Sequence, residues 1–484
     1  MLLGVGRGVS GEGGRFCLER LEVLPDGRLA PMTYYAELCA KNVLGMLRIT
    51  RYLGDLYVYD GGVWIGEPQS VDVIKSIVWA SYVKLELMNL GWRYTSFEKK
   101  VLAGIRAGAP VAEPIRGVRA GSHIILWEGS RYEIRDYNGG FVTHDIPSRV
   151  RSDVLAKARS MGWNARQLAE SEAPRVVEVF KEWAGDVWLA LFEVIGYTTI
   201  AYDYPLHKAI MLVGEGSSGK SSYLRLVTEI LGPWNVSSIP LQAFTSLDYR
   251  FLWGSIINKP GNIFPDLPQK PLRDTGIFKA LTGEDYIFID RKGKEPVRYR
   301  NYAKMIFAAN QLPQVSDLTH AFYRRWLIIR FTGRFQEDPT WYSRVVTMEF
   351  RDRALTVGLE AMREVLERRA FTGRSSEVKE FWLRETDQVY NFIRTLEEPR
   401  LAKRDPNGRV EARWFYELYT RWAEREGLEV LAKKNFTEQL AEHGVQKVKS
   451  GKLELYKGIM LLERPDVVEE KLLKGEQEDL EAYI

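Results

Sequence analysis

The chain has 484 residues, of which 45% are hydrophobic and 27% charged, and its formal net charge is only +4. That defines a globular chain with room for about two to four domains, in which any nucleic-acid site must come from local clustering, not overall basicity. Two cysteines, Cys17 and Cys39, support neither a disulfide framework nor a thiolate metal site, and five scattered histidines predict no zinc. No apolar stretch reaches the length of a membrane span, so a soluble protein in a reducing, cytoplasmic setting is expected.

Residues 1 to about 30 are rich in Gly and Arg, and Gly4-Val5-Gly6-Arg7-Gly8 has no preceding strand, so this stretch reads as an irregular arm. From Tyr34, a helical pattern (Leu38, Val43, Leu44, Leu47) leads into LYVYDGGVW, residues 56–64, where two alternating apolar runs flank a hairpin turn. Helix is predicted from Val71 to about Ala107, then a strand-rich patch over 123–147. This first region, 1–173, carries no catalytic constellation and reads as an α+β structural or oligomerising domain. Residues 174–204 place Val177, Phe180, Trp183, Trp188, Leu191 and Ile195 at helical spacing, an aromatic stripe that reads as core.

The strongest motif in the chain lies between Lys208 and Leu224, KAIMLVGEGSSGKSSYL. An apolar strand (Ala209–Val213) enters a small-residue loop, Gly214, Glu215, Gly216, Ser217, Ser218, Gly219, and an apolar-periodic helix leaves it. With Lys220, Ser221 and Ser222 this fits the GxxxxGK[ST] phosphate loop, in which backbone N–H groups and a helix N-terminus wrap the phosphates of ATP. Lys220 would reach the β- and γ-phosphates and the Ser221 hydroxyl would hold Mg2+. A hydrolase also needs an acid near the metal and a polar group for the attacking water. Asp266 in NIFPDLP is the candidate acid, with a turn residue as the alternative. Asn310 ends the buried-looking strand KMIFAAN, where open α/β sheets carry site residues, or else initiates a turn before Leu312-Pro313. Arg324 and Arg325 precede a further apolar strand.

Between Asp285 and Lys304, DYIFIDRKGKEPVRYRNYAK reads as strand, Lys292-Gly293-Lys294 turn, strand. Six basic residues from Arg291 to Lys304 face one acid, Glu295, with Tyr299 and Tyr302 interleaved. Basic side chains that track phosphates and aromatics that stack on bases make a single-strand nucleic-acid site; a lysine-tipped protective edge is the alternative. Residues 336–404 read as helices. Helices over about 410–427 and 433–443 followed by a basic strand pair suggest a winged helix over 405–462, binding either DNA or protein. The tail, 463–484, is acidic and reads as a solvated helix or disordered end.

Taken in order, GEGSSGKSS, NIFPDLP, FKALTGEDYI with RKGK, KMIFAANQLPQ and AFYRRWLIIRF resemble the superfamily III helicases, in particular the helicase half of poxvirus and phage or plasmid primase-helicases. The resemblance covers about residues 40–460. It implies an α/β fold with a P-loop AAA+ ATPase core over 205–335, flanked by the α+β domain and the winged-helix-like domain. It further implies Asp266 as the Walker B acid, Asn310 as the sensor and Arg325, in preference to Arg324, as a finger acting in trans within a ring, usually a hexamer. The hairpin would project into the ring's pore, making Lys279, Lys292 and Lys294 the leading DNA contacts, supported by Arg291, Arg298 and Arg300. Two departures stand out: Asp266 is followed by Leu267 where two adjacent acids are common, and Glu284 stands where a glycine is usual. The implied activity is ATP-driven unwinding of single-stranded or forked DNA in replication of a viral or plasmid-like element, with a separate primase or polymerase as partner. A replication initiator that uses ATP as an assembly switch and a DNA-packaging ATPase are the alternatives.

Overall fold

The computed structural model describes residues 16–474 apart from 23, 27, 61, 269, 273, 374–376 and 452; the Gly4–Gly8 arm and the last ten residues of the acidic tail lie outside the described residues. The chain starts with helices α1 (Met32–Met46), α2 (Gln69–Lys84) and α3 (Tyr94–Gly108) around an antiparallel sheet of β1 (Arg48–Tyr52), β2 (Asp55–Asp60) and β3 (Val63–Ile65). The helical stretch expected over 71–107 forms as two helices, α2 and α3, separated where Glu86 and Gly91 adopt positive φ. Here the structure corrects the reading of the cysteines. Cys17 and Cys39 are fully buried in this core and joined as a disulfide across 22 residues, with Cα atoms 4.8 Å apart. Such a pairing is not what a reducing compartment favours; two cysteines in a sequence carry no information about whether their Cβ vectors meet.

A second sheet, ordered β6-β5-β4-β7, contains β4 (Gly117–Ala120), β5 (His123–Glu128), β6 (Arg131–Asp136) and β7 (Asp145–Ile146). Helices α4 (Ser152–Met161), α5 (Ala165–Glu172), α6 (Pro174–Ala184) and α7 (Leu189–Thr198) follow. One hydrophobic core runs from Val118 through these helices to the central sheet and on to Phe371, while Ile124, Phe141 and Val142 pack against Tyr57 and Trp64 of the first sheet.

The central sheet is parallel throughout, in the order β14-β8-β13-β10-β9: β14 (Trp326–Arg330), β8 (Ala209–Val213), β13 (Lys304–Ala309), β10 (Gly261–Phe264) and β9 (Val236–Ser237). Every residue of β8 and β13 is buried. That is why both segments read as continuous apolar runs: a parallel strand is covered on both faces, and each buried Val, Leu or Ile contributes roughly 1.5–3 kcal/mol. Helix α8 (Lys220–Leu231) and the α6–α7 pair cover one face, and α9 (Gly276–Leu281) and α10 (His320–Tyr323) the other. Between α9 and β13 the hairpin of β11 (Tyr286–Arg291) and β12 (Lys294–Arg300) leaves the sheet. After β14, α11 (Trp341–Val345), α12 (Met348–Arg368) and α13 (Val378–Thr386) return to the same cores.

The C-terminal unit has its own core, from Val389 to Leu472. It comprises α14 (Gln388–Glu397), β15 (Ala402–Glu411), α15 (Ala412–Arg425), α16 (Lys433–Glu442), β16 (Gln446–Ser450), β17 (Leu453–Leu461) and α17 (Pro465–Lys474), with the antiparallel order β15-β17-β16. The start of the acidic tail is therefore packed, because Val468 and Leu472 of α17 are buried against α15.

His144, just before β7, is completely buried, with its Nε2 3.0 Å from the Tyr302 hydroxyl. Burial, reinforced by the positive charge of nearby Lys259, pushes its pKa down to about 3. In the unfolded chain a histidine titrates near 6.5. As pH falls, the unfolded state therefore takes up the proton first. The stability that neutral His144 contributes is fully present above about pH 6.5 and lost as pH drops toward 3, by roughly 2 kcal/mol between pH 7 and pH 5. Denaturant midpoints at the two pH values should show that loss in the wild type and a much smaller one in His144→Gln; equal losses would remove His144 as the cause.

Candidate functional site

Three adjacent parallel strands end at one place. Beyond Val213 of β8 runs the 214–219 loop, beyond Ala309 of β13 stands Asn310, and two residues beyond Phe264 of β10 stands Asp266. These side chains line a cavity of about 630 Å³ with Ser221, Ser222 and the first turn of α8. The carboxyl ends of parallel strands are where such sheets leave a crevice, since strand and helix must part there to reverse direction.

The loop needs glycine for steric reasons. Gly219 sits at φ +97°, and a Cβ there would run into the Trp183 indole; at Gly214 it would collide with the Phe331 carbonyl. The Lys220 ammonium, 7% exposed, donates to the carbonyls of Gly214 (2.6 Å) and Glu215 (2.8 Å), to Ser218 Oγ (3.2 Å) and to Asn310 Oδ1 (3.1 Å). Burial lowers its pKa and the Asp266 carboxylate opposes that shift. A lysine held by neutral carbonyls, beside free N–H groups at a helix start, could take up an anion by exchanging those carbonyls for phosphate oxygens. Ser221 and Asp266 face the same cavity and are the residues that could hold a magnesium ion beside such phosphates. Among the described residues no group of three or more His, Cys, Asp or Glu could hold a metal ion.

The aromatic wall was not legible in the sequence. Trp183, read as core, stacks near Phe331 and also lines the cavity, together with Phe335 and Trp341 from the segment after β14. The close approach of Gly219 to Trp183, and the packing of Phe180 and Trp183 on Tyr223, bring that helix to the site.

The arginine pair is arranged opposite to expectation. Arg325 is buried at 8% exposure, its Nε–H donating to Thr282 Oγ1 (3.1 Å) and its Nη1–H to the Ala321 carbonyl (2.5 Å), so it braces α9 against α10 within the chain. Arg324 is exposed. The reason is tertiary: Arg325 lies in the turn between α10 and β14, where Thr282 beside α9 and the Ala321 carbonyl of α10 accept its guanidinium.

The hairpin forms as predicted, but its side chains divide differently. Tyr299 and Tyr302, expected to stack on bases, are 5% and 4% exposed and belong to the core. Register explains this: Ile287 and Ile289 of β11 face Tyr299 and Val297 of β12, so the outward face carries Tyr286, Phe288, Arg298 and Arg300. Phe288 is 73% exposed, and Arg298 lies over the Tyr286 ring at 4.2 Å. Period-two alternation from Tyr286 would have found this face. The basic residues are largely paired. Lys294 bridges Asp55 (2.5 Å) and Glu67 (2.8 Å), Arg291 reaches Asp55 (3.4 Å), Arg300 lies 3.5 Å from both Asp203 and Glu284, and Lys279 holds Asp317 (2.8 Å). Lys292, at the tip, is exposed and makes no ion pair among the described residues.

Fold and site together define a mixed α/β chain whose parallel sheet carries a glycine-rich, lysine-bearing loop at the start of a helix. Residues 212–325, less than a quarter of the chain, match a family of unknown function (DUF5906). No curated protein matches. Among solved structures, the chain is similar to the A form apo structure of the NrS-1 C-terminal region, at 13% identity and TM-score 0.40 over 84% of each chain. A second apo structure of that region, residues 305–718, matches at 13% identity and TM-score 0.39, over 87% of this chain and 98% of that one. A structure of JCV helicase with a bound thiazolopyridine compound matches at 11% identity and TM-score 0.24, over 58% of this chain and 75% of that one. Likenesses this distant say nothing about activity. Among the described residues no helix is long and apolar enough to cross a membrane.

Proposed function

We propose that this chain is an ATP-dependent DNA helicase of the superfamily III type, assembled as a ring and acting in replication of a viral or plasmid-like element. The observation that carries the reading is the convergence of Lys220, Ser221, Asp266 and Asn310 on one cavity at the ends of β8, β10 and β13. ATP would lie with its phosphates along the 214–222 loop and its base toward Trp183, Phe335 and Trp341. Lys220 would leave the Gly214 and Glu215 carbonyls to neutralise the β- and γ-phosphates, and Asn310, released from Lys220, would orient the attacking water. Ser221 and Asp266 would hold Mg2+, which supplies charge stabilisation across the phosphates. Arg324, the exposed member of the pair, would complete a neighbouring subunit's site.

A DNA strand would pass the outward face of the hairpin, contacting Lys292 and Arg298 with bases stacked on Phe288 and Tyr286. The other basic candidates, Lys279, Arg291, Lys294 and Arg300, are ion-paired within the chain, so Phe288→Ala is expected to weaken single-strand binding more than substitution of any one of them.

The test is ATP turnover with and without single-stranded DNA, followed by displacement of one strand from a forked duplex. Turnover stimulated by the strand, with ATP-dependent displacement, is the expected result. Nucleotide-dependent DNA binding with neither turnover nor displacement would transfer the assignment to an initiator switch, and a preference for translocating on duplex DNA to a packaging motor.

A further inference from the structure

A second cavity, of about 740 Å³, lies between the amino-terminal sheet and the ATPase-like core, away from the 214–222 loop. It is as large as the first, and no motif in the sequence points to it. Its walls come from segments far apart in the chain: the β2–β3 region with Trp64, the stretch into β7, the turn carrying Trp234, the segment ending at Lys259, and Arg291 at the end of β11.

The charges in the walls favour an anion. Three carboxylates line the cavity, and each is already paired: Asp55 with Lys294 (2.5 Å) and Arg291 (3.4 Å), Glu67 with Lys294 (2.8 Å) and Arg106 (2.7 Å), and Asp145 with Arg119 (2.9 Å). Lys259 has no carboxylate partner among the described residues. Its ammonium donates to the carbonyl of Trp234, and burial lowers its pKa. Only Arg291 and Lys259 of these cations line the cavity, and since the three carboxylates are all neutralised by their partners, Lys259 is the lining charge left without a counter-ion among the described residues. In addition, the buried Nε–H of Arg291 has no hydrogen-bond acceptor among the described residues. A buried donor without a partner is costly, and an anionic ligand removes that cost.

The aromatic groups narrow the class. Trp234 is 55% exposed, yet its ring is fixed in place, because Nε1–H donates to the Asp145 carbonyl (2.9 Å). Trp64 is fixed in the same way by the Gly140 carbonyl (3.0 Å). An immobilised indole offers a stacking face at little entropic cost. The same residue, Trp234, also carries the carbonyl that holds the Lys259 ammonium, so a flat ring and an anionic group can be met within one residue's reach.

We infer that this cavity binds a single nucleotide, its base stacked on Trp234 and its phosphate held by Lys259 and Arg291. Two sources share that chemistry. The nucleotide is either free in solution or part of a strand reaching the cavity from the hairpin, to which Arg291 belongs.

The experiment uses the full chain carrying Lys220→Ala, which weakens the first site, and as probe adenosine 5′-monophosphate, which lacks the β- and γ-phosphates that Lys220 would hold, with bound ligand counted by equilibrium dialysis and tryptophan fluorescence followed in parallel. About one nucleotide per chain is expected, with affinity reduced at least about tenfold by Lys259→Gln and by Trp234→Ala. Thermal unfolding checks the lysine variant; should it fail to fold, Trp234→Ala decides, because that side chain is more than half exposed. Displacement of the monophosphate by a 5′-phosphorylated oligothymidylate assigns the site to a strand, and retention assigns it to the free nucleotide. Loss of all binding with Lys220→Ala alone, or affinity untouched by Trp234→Ala, would overturn the inference.

Discussion

Replacing Lys220 by alanine is expected to lower ATP turnover by about 10²–10³-fold or more, the scale set by removing one preorganised charge from a phosphoryl-transfer site. The geometry also predicts how the loss divides. In the structure the ammonium is satisfied by Gly214, Glu215, Ser218 and Asn310, so binding ATP exchanges one set of acceptors for another of higher charge. The gain is largest where negative charge builds up in the transition state, and kcat should therefore fall further than ATP affinity. Asn310→Ala should show the same signature with a smaller loss, since it removes both the water-orienting amide and a resting partner of Lys220. Stopped-flow binding of a fluorescent ATP analogue alongside steady-state turnover separates the two quantities. A Lys220→Ala variant that hydrolyses ATP at the wild-type rate would end the assignment of the 214–222 loop as the catalytic site.

Arg324→Ala and Arg325→Ala are expected to fail in different ways. Arg324 is exposed, so its loss should leave the melting temperature unchanged while reducing turnover in the assembled ring by about 10³-fold, the usual size of an arginine-finger effect. Mixing experiments give a sharper readout. A subunit lacking Arg324 but with an intact Lys220 site should regain turnover when a Lys220→Ala subunit, which still carries Arg324, is added. Arg325 is fixed by Thr282 and Ala321. Truncating it removes the donor to Thr282 Oγ1 and to the Ala321 carbonyl and opens a void beside Gly283, which should cost about 1–3 kcal/mol of stability and lower activity only through loss of folded protein. Complementation by Arg325→Ala and none by Arg324→Ala would reverse the assignment.

The strand–loop–helix around Lys220 was readable because all its determinants are local: an apolar run, small residues and a helix-forming sequence in direct succession. The same holds for the β11–β12 hairpin, whose Lys292-Gly293 turn lies between its strands. Asn310 was readable for a related reason, since a fully buried parallel strand announces itself by continuous hydrophobicity and its first polar residue marks the end. Asp266 was harder, because β10 has only four residues and follows an interrupting Lys259-Pro260.

What the sequence did not disclose depends on contacts across long separations. The inward turn of Arg325 is set by the packing of α9 against α10, and the burial of Tyr299 by strand register, where a shift of one residue exchanges the two faces. The disulfide requires α1 to carry Cys39 to Cys17, and the second cavity exists only where the amino-terminal sheet meets the 254–259 segment. The sequence by itself determined the glycine-rich strand–loop–helix, the order of the strands' polar ends and the hairpin, since each is written within some ten to twenty consecutive residues. Tertiary structure alone decided which arginine, which aromatics and which lysines remain free to meet a partner, because burial and ion pairing belong to the folded chain as a whole.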